Sequence, residues 1–561
     1  MSENTITATP INAPDVLMNQ PLSRQVDVEI ESNILEPVSH SYTSASGGTS
    51  RFVLPQVGVL DSKNTTLAFE MNSTDQLAYP ITVGGAACVE RCTLYCGGQV
   101  ISRIVNSNLY NFIKNGFKDQ AVKTGILDVR HQTSSELLLR TLPGPISQIT
   151  AAGVTGGQQA LYNPELDQTD SYGQAYNGGA AHLHDIQPSK ATAAVAGQGV
   201  EISLRLSDLF PVLQENKLPL LAMAQCEIEI IWARAGNAAI ASGNITDCCM
   251  IERQLPAQNA STCVVTMTTP QLLVDYIHYD DVEKQKIFDA VNNPNGMALN
   301  FMEVVYTNGV NPGTTADAAN GTPIQSVASN HLLGMSMKEV LAIYVVKNWN
   351  LTSAQGMAEQ DNAQPVLDNT GALTAANLRI ASSHRNPVTR KFKSQQILGE
   401  RYNFVINNLR VYSRDVDNPA MAHNYLSQCE GNRMYNVAQA QFDTGNYNLN
   451  QCKQLLSSQL LGGDIAAQYT DNNTVGVTSQ YTLGSMNVIG LNLKKNNLMS
   501  MVPGNGTRIG SAPIEFNFQC LKHGDNAAAA NRGRAEVNLE FFIEYRRSLI
   551  LRPLGVSVSD N

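Results

Sequence analysis

The chain has 561 residues, 43% of them hydrophobic and only 15% charged, with a net charge of −10. That length allows two large domains or roughly three to four average ones. The low charge excludes a chain held open by charge repulsion, and the acidic balance excludes a coat that neutralises phosphates through a basic face. The polar remainder, rich in Asn, Gln, Ser, Thr, Ala and Gly, fits long polar loops or a surface covered by other subunits, where charge is depleted.

Residues 1–24 read as a flexible arm. Met1–Gln20 is polar, carries Pro10 and Pro14, and has neither the basic n-region nor the apolar h-region of a signal peptide. No stretch approaches the roughly 18 apolar residues of a membrane span. Val26–Ile30 is the first alternating segment, and residues 39–50 form a polar turn region. Arg51–Val59 and Thr65–Met71 read as strands, joined through turn chemistry at Asp61-Ser62-Lys63-Asn64. Ala86–Cys96 is a further strand, and Gly97-Gly98 makes a tight turn into Gln99–Val105. Asn108–Gln120 reads as a short helix. Residues 143–199 turn Gly-, Ala-, Gln-, Asn- and Thr-rich and are too long for an ordinary loop, so they read as a projecting insertion.

Val200–Leu206 (V-E-I-S-L-R-L) and Cys226–Trp232 (C-E-I-E-I-I-W) alternate as strands. An apolar connector with two prolines joins them as a short helix and a turn. The boundary between two domains falls at 255/256. Beyond it, Cys263–Met267, Gln271–Tyr279, Phe301–Tyr306, Met335–Val346, Phe404–Tyr412, Asn487–Leu493, Ile514–Phe518 and Val537–Tyr545 read as strands. Asp281–Val291 and Tyr447–Leu461 read as helices, and residues 350–378 as a second polar insertion. The pair Ile514–Phe518 and Val537–Tyr545 repeats the pattern of Val200–Leu206 and Cys226–Trp232. One kind of β-domain built twice is the natural reading, each pair closing its domain. Strands outnumber helices and do not alternate with them as βαβ units would, so the fold class is all-β.

Chemistry is sparse. No phosphate-binding G-x-x-x-x-G-K-[ST], no H-E-x-x-H and no G-x-S-x-G occurs. The ten cysteines form no regular framework and read as free thiols in a reducing compartment, several of them small apolar fillers. Cys88, Cys92 and Cys96 share one face of a strand, but every fourth residue is about 13 Å along. They read as core rather than as ligands converging on one ion. His182, His184 and Asp185 hold ligand chemistry but lie at the end of the first insertion and read as loop. Asp415, Asp417 and Asn418 lack the glycine and distal Glu of a calcium loop. Asp280, Asp281 and Glu283 suit a helix N-terminus. Arg546, Arg547 and Arg552 are the candidates for a basic patch and read as solvated strand ends. No catalytic, cofactor or metal site is expected.

Five stretches, in order, carry a likeness. They are R-F-V-L-P-Q-V-G-V-L-D-S-K-N-T-T-L-A-F-E (Arg51–Glu70), the hairpin Gly84–Ile104, Leu206–Ile230, Leu272–Asp281 and Val537–Leu551. The series resembles the double jelly-roll major capsid proteins of icosahedral double-stranded DNA viruses, in the virophage, polinton-like virus and adintovirus branch. Leu206–Ile230 is the strongest match; Leu272–Asp281 resembles the start of a second roll and Val537–Leu551 its last strand. The likeness spans most of residues 25–555 as motifs of low individual specificity.

The resemblance implies two tandem eight-stranded jelly rolls, at 25–255 and 256–561. It implies a homotrimer of pseudo-hexagonal outline that tiles a shell through lateral trimer–trimer contacts. It also implies a place in the virion, minor capsid or penton proteins as partners, an internal membrane or host receptor reached through loops, no cofactor and no sequence-specific nucleic-acid contact. A tandem β-sandwich carbohydrate-binding protein shares the fold class; it needs exposed aromatics, and Trp232 and Trp349 are the only tryptophans. A β-sandwich hydrolase needs two carboxylates facing each other across a cleft.

Overall fold

A computed structural model describes residues 11–18, 22, 26–73, 77–78, 83–118, 130, 200–234, 251–252, 265–312, 326–349, 394, 400–429, 488–494, 506–521, 537–553 and 555–560. The readings at 143–199, 350–378, His182, His184, Asp185 and Tyr447–Leu461 lie outside these residues.

The first unit contains β1 (Val28–Leu35), β2 (Gly47–Leu54), β3 (Thr66–Ser73), β4 (Val89–Cys96), β5 (Gln99–Val105), β6 (Val200–Arg205), β7 (Cys226–Trp232) and β8 (Gln271–Tyr279). Its sheets run β6-β3-β8-β1 and β2-β7-β4-β5, with Ser39–Thr43 added beside β2. The second unit contains β9 (Met297–Asn311), β10 (Ser326–Leu332), β11 (Glu339–Trp349), β12 (Arg401–Ile406), β13 (Leu409–Arg410), β14 (Ile489–Asn492), β15 (Glu515–Leu521) and β16 (Val537–Arg552). Its sheets run β14-β11-β16-β9 and β10-β15-β12-β13. Adding eight to each label of the first unit yields the second. In both, the last strand lies between the first and third, and the seventh between the second and fourth. That winding of eight strands into two facing sheets is the jelly roll, present twice.

Period-2 patterning builds the strands. In β7, Cys226, Ile228, Ile230 and Trp232 turn inward and are buried; burying a side chain of the larger kinds is worth roughly 1.5–3 kcal/mol. Glu227 and Glu229 turn outward, where Glu227 pairs with Arg51 and Glu229 meets Arg91 at 3.4 Å. Two-residue turns close equivalent hairpins in the two rolls. Gly97 and Gly98, at φ 56° and 81°, join β4 to β5. Asn407 and Asn408, at φ 52° and 63°, join β12 to β13. Left-handed backbone at both central residues matches the twist of the strands, and Asn tolerates it better than most residues. Phe404–Tyr412, read from the sequence as one strand, is therefore a hairpin.

Three further expectations change. Gln271–Tyr279 (β8) is hydrogen-bonded to β1 along its whole length and to β3 at its start, so it belongs to the first roll, which does not end at 255. The chain crosses to the second roll through α4 (Asp281–Asn292), capped by Asp280, whose side chain accepts the Glu283 N–H at 2.9 Å. For the same reason the repeated strand pairs are not equivalents: Val200–Leu206 and Cys226–Trp232 supply strands six and seven of their roll, Ile514–Phe518 and Val537–Tyr545 strands seven and eight. Alternation records which side faces inward, not which neighbour a strand takes.

The arm is also corrected, over residues 11–18. Ile11–Asn12 forms a parallel pair with Met297–Ala298 of β9. A turn of 3₁₀ helix at Asp15–Leu17 follows, with Val16 and Leu17 fully buried. The Ile11 N–H donates to Gly296 O (2.9 Å), the Lys217 N–H to Leu17 O (2.7 Å) and the Tyr279 hydroxyl to Val16 O (2.9 Å). This segment thus clips the second roll to the first. Leu17→Ala should lower stability by roughly 2–5 kcal/mol in urea unfolding; a change below about 0.5 kcal/mol, as expected of a surface site, would show that the segment is not docked.

Candidate functional site

The most concentrated chemistry in the described chain lies where the rolls meet. The outer face of the β14-β11-β16-β9 sheet is not solvated. Along β16, Val537, Leu539, Phe541, Ile543 and Tyr545 enter the second roll's own core, while Phe542 joins a core shared with the first roll. Beyond Tyr545, Leu549 and Leu551 join that shared core as well.

The first roll covers this face with α1 (Ser107–Phe117), β5 and the short helix α3 (Pro211–Glu215), which follows α2 (Leu206–Leu209). The rings of Tyr110 and Phe542 stand 5.8 Å apart, as do those of Phe117 and Tyr344. Such pairs add about 0.5–1.5 kcal/mol beyond the area they bury.

Ionic groups are set into this apolar seam. Glu544 is fully buried; its carboxylate accepts the Tyr110 hydroxyl at 2.7 Å and the Lys114 ammonium at 3.1 Å, with Lys494 at 4.0 Å. Glu303 on β9 is buried, accepts the Ser102 hydroxyl at 3.2 Å and lies 3.5 Å from Arg547. Arg547 also donates to Ile101 O at 3.1 Å and pairs with Asp560 at 3.1 Å. Asn216 reaches Asn300 O at 2.9 Å. Burial pushes the Glu303 carboxyl up to about 7, although Arg547 pulls it down. Burial likewise pushes Glu215 up to about 7 against Arg546 and Lys494.

Arg547, read from the sequence as a solvated strand end, is therefore a link between the rolls. Glu303 and Glu544 were missed. The available signal was a carboxylate inside an apolar run, F-M-E-V-V-Y for one and F-F-I-E-Y for the other.

A second buried pair ties the second roll to itself. Lys347 near the end of β11 is fully buried, and its ammonium donates to both oxygens of Glu400, at 2.7 and 2.6 Å. Burial pulls the Lys347 pKa down and Glu400 opposes it. The bond spans the second insertion, joining residues 347 and 400 across it.

The sequence-read candidates do not converge. Cys88 ends a 3₁₀ helix, Gly84–Cys88, rather than starting a strand. The Cys92 thiol faces Leu209 O at 3.0 Å and the Cys96 thiol faces Ala224 O at 3.3 Å. Asp415 pairs with Arg410 and accepts from Asn403. Among the described residues no group of three or more His, Cys, Asp and Glu side chains is placed to hold a metal, and no helix is long and apolar enough to cross a membrane. Trp232 is 1% exposed and donates to the Ser50 hydroxyl at 2.7 Å, so it offers no stacking platform. A hollow of about 310 Å³ opens on the β10-β15-β12 side of the second roll, and Asp415 is its only carboxylate.

The surface has one unusual strand. β1 is an edge of its sheet and is exposed over nearly its whole length, with Ile30 57% and Ile34 62% exposed. Its counterpart β9 is largely buried in the seam and carries Ile11–Asn12 on its free edge.

No protein-family model and no curated protein matches the sequence. Among solved structures the chain is similar to the Faustovirus major capsid protein, at 10% identity and TM-score 0.44, covering 95% of this chain and 92% of that one. It is similar to the mavirus major capsid protein at 10% identity and TM-score 0.40, over 100% and 93%. PBCV-1 VP54, fitted into a reconstruction of the virophage Sputnik, stands at 10% identity and TM-score 0.43, over 96% and 98%. The assignment of two jelly rolls rests on the hydrogen-bonded strand order, independently of these likenesses.

Two measurements probe the buried charges. The folded pKa of Glu303 lies above the ordinary 4.5, so between those values the fold holds a proton that the unfolded chain has lost. This group's contribution is full below pH 4.5 and falls away as pH rises through about 7. On that basis Glu303→Gln should gain on the parent by on the order of 3 kcal/mol between pH 4.5 and 8 in urea midpoints; parallel curves would rule the titration out. Lys347→Met, which leaves the Glu400 carboxylate without its ammonium, should cost roughly 3–5 kcal/mol, and adding Glu400→Leu should recover most of it.

Proposed function

We propose that this chain is a major capsid protein, a structural and non-enzymatic building block of an icosahedral virus shell. The observation that carries the reading is the pair of complete jelly rolls joined side by side through a sheet buried on both faces. Jelly rolls also serve as lectin and cupin scaffolds, and a fold alone does not fix a function. A lectin or an enzyme, however, needs an open site, and the chemistry at the seam is closed: Glu303 and Glu544 are buried and satisfied by side chains of the two rolls. Here Glu303, Glu544, Glu215 and Arg547 line the seam between the rolls, while Lys347 and Glu400 lock the second roll internally, which makes a stiff two-roll block suited to tiling.

The low charge of the chain and the exposed edge strand β1, which leaves Val28, Ile30 and Ile34 in solvent, suit contact with further copies of the same chain. The resemblance read from the sequence supplies the finer form: a homotrimer of pseudo-hexagonal outline, lateral contacts between trimers, a place in the virion, insertions 143–199 and 350–378 as outward loops, minor capsid or penton proteins as partners, and an internal membrane or host receptor reached through loops. Permanent interfaces of this kind bury about 2,000–5,000 Å². Electron microscopy and sedimentation of the purified protein should find trimers of hexagonal outline or closed shells. A protein that stays monomeric at high concentration would overturn the reading.

A further inference from the structure

Cys96 and Cys226 face each other across β4 and β7, 130 residues apart in sequence, and both are buried and free. Their position in the ladder is specific. The Gly97 N–H donates to Gln225 O at 2.9 Å, which makes Gly97 and Gln225 a hydrogen-bonded pair. The adjacent Cys96 and Cys226 are then a non-hydrogen-bonded pair, the kind whose Cα atoms stand about 4.5 Å apart with side chains closest. Disulfides accept Cα separations of about 4.4–6.8 Å. Both sulfurs also point to one atom: Cys96 Sγ lies 3.3 Å and Cys226 Sγ 3.4 Å from Ala224 O. The two thiols therefore share a single pocket and hydrogen-bond to each other.

We propose that Cys96 and Cys226 are a latent disulfide, closed by a small-molecule disulfide such as oxidised glutathione. One thiol of the pair gives its proton to solvent and, as the thiolate, attacks one sulfur of the oxidant, forming a mixed disulfide and releasing one glutathione thiolate. The other thiol gives its proton to that leaving thiolate, and its sulfur attacks the mixed disulfide, releasing the second glutathione thiolate, which takes a proton back from solvent. Two S–H bonds become one S–S bond, and the two electrons leave in two molecules of reduced glutathione.

The hydrogen bond between the two thiols lowers the Cys96 pKa and, with burial, raises that of Cys226, so the pair gives up one proton more readily than the second. Both cysteines are fully buried, so the oxidant reaches them only when the hairpin tip opens, and that tip is the exposed stretch Gly97, Gly98 and Gln225 that directly adjoins the pair. Cys92, two same-face positions deeper along β4, is an internal contrast: burial pushes it up to about 12, and it is held by Leu209 O and Ser107. Closure would tie β4 to β7 covalently and enclose the first insertion within a loop.

The test uses the purified full chain, treated with oxidised or reduced glutathione under native conditions, alkylated, digested and mapped by mass spectrometry. Oxidised samples should yield one cross-linked peptide pair, lighter by two hydrogens, with fragmentation placing the bond at Cys96 and Cys226; dithiothreitol should restore both thiols. Cys226→Ser and Cys96→Ser should each form no internal bond and stop at glutathione on the remaining thiol of the pair. A bond formed at Cys92 instead, or recovery of both thiols as free after oxidation, overturns the proposal; the mapping on the unaltered chain decides this even where a variant fails to fold.

Discussion

The structure depends on one constraint: the β14-β11-β16-β9 sheet must be covered on both faces. An antiparallel sheet ordinarily keeps one face in water. Here β16 supplies aromatic and aliphatic side chains to one side and Phe542 and Glu544 to the other. Separating the rolls would expose Phe542, Tyr344, Tyr110 and Phe117 together, and would leave Glu544 without Tyr110 and Lys114. The first roll is therefore less a neighbour of the second than its missing outer layer.

Charge gives that layer a defined position. An apolar seam alone tolerates sliding, because dispersion and hydrophobic burial have little direction. Glu544 satisfied by Tyr110 and Lys114, Glu303 by Ser102 and Arg547, and Asn300 by Asn216 can each be met in one alignment only. The desolvation that pushes Glu303 and Glu215 upward is the cost of that alignment. The clip at residues 11–18 acts in the same sense, with its backbone bonded to β9 on one side and to Lys217 and Tyr279 on the other.

How far the sequence was legible can be traced residue by residue. The all-β class, the doubling, the Gly97-Gly98 hairpin, α1 and the cap at Asp280 were all visible, because each follows from local pattern and turn chemistry. The position of β8 was not, since Gln271–Tyr279 alternates as any strand does and its partners lie more than 200 residues upstream. The Asn407-Asn408 turn was passed over because asparagine signals left-handed backbone less loudly than glycine. The seam was hidden for a different reason. A carboxylate in an apolar run shows that something polar must meet it, while its partner, such as Tyr110 for Glu544, sits 434 residues away with no mark of its own.

The chain order of β16 has a temporal consequence. It is the last of the sixteen roll strands, yet both cores include it. During synthesis at roughly 5–20 residues per second, α1 emerges with its aromatic face bare and waits tens of seconds for its cover. The first roll cannot reach its final state as an independent unit, and Ile11–Asn12 has no strand to pair with until β9 arrives. Unfinished chains thus display an apolar helix and an open sheet at once, the form most prone to stick to its neighbours.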